Sequence, residues 1–259
     1  MPSSKKNEQS FLPGVRTGRV MDIEAVLNET LVRDCFYPTI EDPERATKMA
    51  KLDFERETKS DFLPLVFHVP VCIAVGRYQI ASSGEMSWLN EPICIRPKDE
   101  NGNPIPQDAP NYIDELVKLF WGACEKWEGM LVTFNGRGFD FPVLEMQAIR
   151  LGLKCPNYFQ DAKTSFRHRY GRHIDIMDVL SNYGAARRVG RLDYILKMLG
   201  LPGKGEVHGS EVNQLWKDKR FNEVEEYCVD DVKQTFECFK RLEVTRGQSG
   251  TASGTLSWR

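Results

Sequence analysis

Residues 18–26 read Gly-Arg-Val-Met-Asp-Ile-Glu-Ala-Val, and this stretch decides how the rest of the chain is interpreted. Its apolar and β-branched residues predict a buried β-strand. Side chains alternate along a strand, so Asp22 and Glu24 project from the same face, about 7 Å apart. Two carboxylates held this close repel each other unless a cation lies between them, and hard oxygen ligands suit Mg²⁺ or Mn²⁺. Taken alone, Asp-x-Glu is a common pattern, and two solvated acids on an edge strand explain it better.

A second acid follows a predicted strand in residues 131–142, Leu-Val-Thr-Phe-Asn-Gly-Arg-Gly-Phe-Asp-Phe-Pro. The apolar start predicts a buried strand, the glycines a tight turn, and Pro142 the first turn of a helix. At that point Asp140 is a preferred helix cap, and Asn135 is a turn former. The carboxyl end of a strand in such a sheet is also where ligands bind. A dinucleotide-binding glycine fingerprint is excluded, because Phe141 stands where the third glycine is required.

A third acidic group lies in residues 226–232, Glu-Tyr-Cys-Val-Asp-Asp-Val. Helical spacing puts Tyr227 and Asp231, four residues apart, on one face beside an apolar stripe. Asp230 is rotated by about 100° from Asp231 and points elsewhere. An amphipathic helix with exposed acids accounts well for Glu225, Glu226 and Asp230 and less well for Tyr227 and Asp231.

The remaining pattern predicts a single α/β domain over residues 14–247, with a disordered N-terminus at 1–13 and a flexible tail at 248–259. Residues 41–59 are rich in charge and are interpreted as an insertion that is partly helical. The last helix is expected to open at Asn222, an N-cap residue with a glutamate three positions on. The predicted strands are 18–26, 69–76, 92–96, 130–134 and the short extended piece 173–177.

Composition limits the class of protein. The chain has 259 residues, 41% of them hydrophobic, which suffices for one substantial core. No apolar stretch approaches the roughly 20 residues of a membrane-spanning helix, and the polar N-terminus does not resemble a signal peptide, so a cytoplasmic protein without membrane contact is expected. The seven scattered cysteines include no Cys-x-x-Cys motif and are interpreted as reduced core thiols.

The net charge is only −2, but basic residues are concentrated between positions 163 and 191. A local basic strip can hold phosphates while the whole chain stays nearly neutral. On this feature alone, a solvated surface is the better interpretation. The strip comprises Lys163, Arg167, Arg169, Arg172, Arg187, Arg188 and Arg191, with His168 and His173 among them.

Taken together and in this order, the three acidic motifs resemble the DEDD exonuclease superfamily, and in particular its tyrosine-bearing branch. The matching motifs are Asp-x-Glu at 22–24, Asn-x-x-x-Phe-Asp at 135–140 and Tyr-x-x-x-Asp at 227–231. The chain looks most like the predicted 3′→5′ exonucleases related to the proofreading domain of B-family polymerases, over residues 18–242. Further matching stretches are Phe67-His68, His-Ile-Asp-Ile-Met-Asp at 173–178, Gly-Leu-Pro-Gly-Lys at 200–204 and Gly209-Ser210. Ala25 stands where that family usually has Thr, which concerns how the terminal nucleotide is held.

The resemblance implies a ribonuclease H-like fold, with a mixed five-stranded central sheet flanked by helices. It also implies a catalytic site in which four carboxylates hold two Mg²⁺ or Mn²⁺ ions. In that scheme Asp22 lies beside both ions, Glu24 and Asp231 bind the first, and Asp140 holds the second. Tyr227 stays protonated and orients the attacking water.

The same resemblance extends to residues outside the metal site. Asn135 and Phe139 are the candidates to contact the terminal nucleotide. Lys204 is the candidate to reach a phosphate, and a solvated loop lysine is the alternative. His173 and Asp175 are interpreted as hydrogen-bonding groups at the end of a strand, and a supporting pair behind the metal ligands is the alternative.

The expected activity is a metal-dependent 3′→5′ exonuclease that hydrolyses phosphodiester bonds at nucleic-acid ends. Single-stranded DNA is favoured only through the likeness to proofreading domains, which is an analogy. A 3′→5′ exoribonuclease of the same superfamily stays open, because no residue recognisably reads a 2′-hydroxyl. A nucleic-acid-binding scaffold without activity is the other alternative, although all four acids and the tyrosine are present. The sequence does not indicate protein partners or the oligomeric state.

Overall fold

The computed structural model describes residues 16–155, 158, 173–186, 189–203, 209 and 211–246. The strands are β1 (Arg16–Leu27), β2 (His68–Ile80), β3 (Met86–Cys94), β4 (Met130–Thr133) and β5 (His173–Asp175). The helices of the described residues are α1 (Glu29–Phe36), α2 (Pro43–Thr58), α3 (Tyr112–Cys124), α4 (Asp140–Leu151), α5 (Ile176–Leu180), α6 (Leu192–Met198), α7 (Val212–Lys217) and α8 (Phe221–Thr245). The ends predicted to be disordered or flexible, 1–13 and 248–259, lie outside the described residues.

The strands form one mixed sheet in the order β3-β2-β1-β4-β5. β1 pairs antiparallel with β2 and parallel with β4, β2 pairs antiparallel with β3, and β4 pairs parallel with β5. The predicted α/β fold, a mixed five-stranded sheet flanked by helices, is confirmed. Val20 is the last residue of β1 that pairs with β4, opposite Val132, so Asp22 and Glu24 lie just beyond the carboxyl end of that pairing.

The side chains of β1 alternate between two apolar layers. Val20 is buried against residues of α6 and α8 in one layer. Met21 and Ile23 pack with residues of α3 and α4 in the other layer. By the same alternation, Asp22 and Glu24 belong to the face covered by α8. The two acids therefore interrupt a surface that is otherwise apolar, as the sequence pattern indicates.

The start of the last helix differs from the prediction. α8 begins at Phe221, with Arg220 as its N-cap residue, so the predicted cap at Asn222 is wrong. Arg220 forms an ion pair with Glu223, which closes the first turn, and the ring of Phe221 packs on Trp216 of α7 at 4.6 Å. These tertiary contacts start the helix earlier than the capping pattern indicates.

Two other regions also differ in extent from the sequence prediction. β3 begins at Met86 rather than at residue 92, because Trp88 packs on Phe236 of α8 and lengthens the pairing with β2. Residues 41–59, predicted as a partly helical insertion, form α2, which begins behind the capping side chain of Asp42. α1, against which α2 packs, was not predicted. Among the described residues, no helix has the length and apolar character needed to cross a membrane.

Candidate active site

Two acidic side chains lie together near the carboxyl end of β1. Glu24 is buried, with 8% of its surface exposed. Ligand atoms of Asp22, Glu24 and Cys228 all lie within 4.8 Å of one another. A β-bulge follows at once, since the pairing of β1 with β2 shifts between Glu24 and Ala25. Bulges of this kind redirect side chains and are frequent beside active sites.

The turn after β4 leads the chain back toward these acids. Asn135 has a left-handed backbone, with φ 63°. The carboxylate of Asp175 accepts hydrogen bonds from the backbone amides of Asn135 at 2.8 Å and Arg137 at 2.9 Å, and so fixes the turn. A Cβ at Gly136 would overlap the Thr133 side chain, whereas a Cβ at Gly138 would meet the end of the Asn135 side chain. The turn therefore leaves no room for a side chain at Gly136.

The turn ends by placing Asp140 against the backbone of β1. α4 begins at Asp140, so Pro142 lies in its first turn, as the sequence predicts. Asp140 is 3% exposed, and its Oδ1 accepts a hydrogen bond from the backbone amide of Ile23 at 3.2 Å. The carboxylate is therefore held beside the segment between Asp22 and Glu24. The alternative reading of Asp140 as a simple helix cap is wrong, because its side chain bonds to a distant strand.

α8 contributes the fourth predicted acid. Asp231 is buried, with 6% of its surface exposed, whereas the side chain of the neighbouring Asp230 is 62% exposed, as the helical rotation predicts. Burial raises the pKa of Asp140 to about 7, and the negative charges of Asp175 and Asp231 act in the same direction. Asp231 therefore lies within electrostatic range of Asp140.

The donor atoms of this group suit a divalent cation such as Mg²⁺ or Mn²⁺. Asp140 of α4 bonds to the backbone of β1 between Asp22 and Glu24, and the charge of Asp231 on α8 acts on it. A cation beside these carboxylates would offset the desolvation and repulsion that raise the Asp140 pKa. Cys228, which adds a sulfur beside Asp22 and Glu24, was not predicted as part of the site. Its position in the apolar stripe of α8 favoured a core thiol, and core burial is indeed complete.

Tyr227 is half-buried at the edge of the apolar layer beneath α8. Its hydroxyl lies 3.6 Å from the position that a Cβ on Gly209 would occupy. That is an ordinary van der Waals distance, so Gly209 lies beside the Tyr227 hydroxyl. Of the predicted Gly209-Ser210 stretch, Ser210 lies outside the described residues. Lys204 lies outside the described residues.

Phe139 belongs to a group of three aromatic rings next to Asp140. The rings of Phe62 and His68 are stacked with centroids 4.8 Å apart, and Phe139 meets His68 edge-on at 5.6 Å. Phe62 is 50% exposed. Burial lowers the pKa of His68, which favours its neutral form. Phe62 was not singled out from the sequence, because it follows the 41–59 segment without any periodic pattern.

His173 supports the neighbouring strand and turn. Its Nε2 is 2.8 Å from the Thr133 hydroxyl and its Nδ1 is 3.1 Å from the Tyr158 hydroxyl. Burial, with a smaller effect from Arg137, lowers the pKa of His173 to about 3, so the ring is neutral at physiological pH. The hydrogen bonds of His173 and Asp175 at the ends of strands agree with the favoured interpretation. Of the basic strip, Arg191 and His173 are described, and the other members lie outside the described residues.

The sheet and its acidic residues define a class of protein, an α/β fold with a mixed five-stranded sheet and acidic side chains near the end of its first strand. The chain belongs to the family of predicted 3′-5′ exonucleases related to the exonuclease domain of PolB, which matches residues 60–254. Asp140, Tyr227 and Asp231 lie within the matched residues, whereas Asp22 and Glu24 precede them.

Archaeal DNA polymerases are among the proteins similar to this chain. DNA polymerase 1 of Pyrococcus abyssi is 28% identical over 160 residues, which cover 56% of this chain and 20% of the polymerase. The DNA polymerase of Pyrococcus horikoshii is 25% identical over 212 residues, covering 72% of this chain and 17% of the polymerase. A solved family B DNA polymerase from Pyrobaculum calidifontis aligns with a TM-score of 0.49 and 17% identity, over 92% of this chain and 25% of that one. The chain thus spans a quarter or less of each of these polymerases.

Proposed function

We propose that this protein is a metal-dependent 3′→5′ exonuclease that removes nucleotides from the 3′ ends of nucleic acids, with single-stranded DNA as its preferred substrate. The observation that carries the proposal is the hydrogen bond from Ile23 to Asp140, because it joins the acid of α4 to the strand that bears Asp22 and Glu24. Asp231 supplies a fourth carboxylate within electrostatic range. The membership of the family of predicted 3′-5′ exonucleases supports the same activity.

The four carboxylates would hold two Mg²⁺ or Mn²⁺ ions, with Asp22 beside both. When bound, such ions lower the pKa of the attacking water and stabilise charge on the leaving 3′-oxygen. The protein's own groups position the reaction. The buried side chains of Glu24, Asp140 and Asp231 lose little freedom when the site is filled, since packing already restricts them. Tyr227 donates a hydrogen bond from its protonated hydroxyl and orients the attacking water.

The aromatic group formed by Phe62, His68 and Phe139 offers a surface on which the bases at the 3′ end stack. Stacking on aromatic rings tolerates any base, which suits an enzyme that trims ends of any sequence. Asn135 and Lys204 are proposed to contact the terminal nucleotide. The choice of DNA follows from the similar proteins, which are named as DNA polymerases.

The test compares two adjacent aspartates. A 5′-labelled single-stranded DNA oligonucleotide is incubated with Mg²⁺ or Mn²⁺, and the wild-type chain is expected to give a ladder that shortens from the 3′ end. Asp231→Asn should lower the rate on the order of a thousandfold, because a carboxylate that holds the metals is lost. Asp230→Asn, one position away on the exposed side of α8, should stay within about twofold of wild type.

The outcomes separate the candidate functions. Equal rates for the two variants, or release of the labelled 5′ nucleotide without a ladder of shortened labelled products, would contradict the proposal. Tight binding of the oligonucleotide without shortening supports the scaffold alternative instead. Faster shortening of a matched RNA oligonucleotide would keep the chemistry and make the substrate RNA.

A further inference from the structure

Three cysteines from distant parts of the chain meet on the face of the sheet that α8 covers. Cys72 lies on β2, Cys94 ends β3, and Cys228 lies on α8. The Cys72 thiol donates to the sulfur of Cys94 at 3.1 Å, and the Cys228 thiol is within hydrogen-bonding distance of both. All three are free thiols. We refer to Cys72, Cys94 and Cys228 as the thiol cluster.

The thiol cluster adjoins the carboxylates of β1. The register of β1 and β2 places Cys72 directly opposite Glu24, so the two share a sheet face. The Cys228 thiol donates to the backbone carbonyl of Asp22 at 3.5 Å. Its sulfur also lies within 4.8 Å of ligand atoms of Asp22 and Glu24. Cys228 therefore belongs both to the thiol cluster and to the acidic group.

Three sulfurs and neighbouring carboxylates form a donor set unlike that of an all-oxygen magnesium site. Thiolates select soft and borderline ions such as Zn²⁺, whereas carboxylates alone suit Mg²⁺ and Mn²⁺. Zinc sites with three or four sulfur ligands are a common arrangement, and a nearby carboxylate or water completes a tetrahedral set. Small shifts suffice for an ion to enter, because the three thiols already approach one another.

We propose that the thiol cluster is a binding site for a thiophilic divalent cation, Zn²⁺ being the representative ion, and that its occupation inhibits the neighbouring carboxylate site. Inhibition follows from Cys228, because an ion bound to this sulfur draws it away from the Asp22 carbonyl and places positive charge beside Asp22 and Glu24. The binding step stands on the thiol geometry alone, and the inhibition rests on the proposed exonuclease function.

Cys94 provides the route of entry. It is partly exposed at the end of β3, whereas Cys72 and Cys228 are buried. An incoming cation therefore meets the Cys94 thiol before the two buried thiols.

Binding is tested with Cd²⁺ as the probe, added to the metal-free full chain in a phosphine reductant that keeps the thiols reduced. The cadmium–thiolate charge-transfer absorption in the ultraviolet reports sulfur ligation directly and needs no enzymatic activity. Wild type should bind one ion tightly. Cys94→Ala and Cys72→Ala should each weaken binding at least about tenfold. Cys238→Ala removes another buried thiol of α8, and Cys35→Ala an exposed one, so both should match wild type.

The same absorption intensity and affinity in Cys94→Ala and Cys72→Ala as in wild type would overturn the site, as would the absence of any thiolate band in wild type. Melting curves establish that each variant is folded. If Cys94→Ala does not fold, Cys94→Ser replaces it in the titration.

Inhibition is then measured with Zn²⁺ at low concentration against Mg²⁺-supported shortening of the labelled DNA. Wild type and Cys238→Ala should lose activity, and Cys94→Ala should resist. Equal inhibition of all three would overturn the regulatory link even when the cadmium band is present. If wild type shows no nuclease activity at all, the proposed function fails, while the cadmium titration still decides on the metal site.

Discussion

At the scale of single residues, Asp140 carries the clearest conflict between burial and charge. Its carboxylate is 3% exposed, and burial together with the charges of Asp175 and Asp231 raises its pKa to about 7. A chain without a bound cation gains no stability from this arrangement. In the proposed site a divalent cation would resolve this conflict by neutralising the group, which is why we propose a metal-binding role for Asp140.

Replacing Asp140 with Asn should make stability less dependent on pH in metal-free buffer. The folded state keeps a proton that the unfolded state loses as the pH rises from about 4 to about 7, because the folded pKa lies above the ordinary value of 3.8. The free energy of unfolding of wild type therefore falls across this window. Asp140→Asn should gain about 2–4 kcal/mol relative to wild type between pH 4 and pH 8, measured by urea denaturation with EDTA present.

A divalent cation should remove the advantage of Asp140→Asn, because it stabilises the ionised carboxylate of wild type only. The control is Asp230→Asn, whose free energy of unfolding should differ from that of wild type by the same amount at every pH. The same constant difference for Asp140→Asn would contradict the burial argument.

Local periodicity predicted which of these residues share a face, and tertiary contacts decided the rest. The alternation of β1 placed Asp22 with Glu24, and the helical rotation separated the buried Asp231 from the exposed Asp230. The bond from Ile23 to Asp140 was not predictable, because it depends on how α4 sits against β1.

At the scale of elements, the backbone of β1 lies so close to the segment before β4 that no side chain fits between them at the point of contact. Gly129 has φ +83°, and a Cβ there would overlap the carbonyl oxygen of Thr17. Gly18 faces the same contact from β1, where a Cβ would overlap Tyr78 and the carbonyl of Met130. This close approach sets the parallel register of β1 and β4, on which the position of Asp22 beyond the end of β4 depends.

Gly129→Ala should therefore destabilise the fold by at least about 2 kcal/mol, from the left-handed backbone and the overlap together. Gly122 is the matched control, since it lies in α3 with open space around it. Gly122→Ala should stabilise the protein by up to about 1 kcal/mol, because alanine favours a helix over glycine. Thermal melting of both variants measures the difference, and equal shifts in the same direction would be inconsistent with the register argument.

Helix positions were predictable from the sequence, but their first residues were not. The apolar period located α8, yet the helix starts before the expected Asn222 because of contacts made by Arg220 and Phe221. Glu225, which the amphipathic pattern places among exposed acids, instead binds Arg96 after β3 and the Gln107 side chain. Partners so far apart along the chain leave no trace in local spacing.

At the scale of the whole molecule, one acidic centre joins both apolar layers of the sheet. Asp22 and Glu24 face α8, while Asp140 arrives from α4 on the opposite layer. Alternating strands and helices in the sequence predicted a mixed sheet, and the order β3-β2-β1-β4-β5 confirms it. α1 was missed because its eight residues are too short to give a clear period.

Mg²⁺ or Mn²⁺ should raise the melting temperature of the wild-type chain, because ions that bind only the folded state stabilise it. The shift should reach about 5–10 °C when the ion is present at about a hundred times its Kd. The double variant Asp22→Asn/Asp231→Asn should show no such shift. NaCl at matched ionic strength separates specific binding from general screening, and an equal effect of NaCl on wild type would contradict a metal site.

Crystals grown with Mn²⁺ test the central claim most directly, because anomalous scattering locates the ions without reference to activity. The account predicts two manganese peaks about 3.5–4 Å apart, bound by Asp22, Glu24, Asp140 and Asp231. Fully occupied manganese sites elsewhere on the chain, with no manganese bound to these four carboxylates, would contradict it.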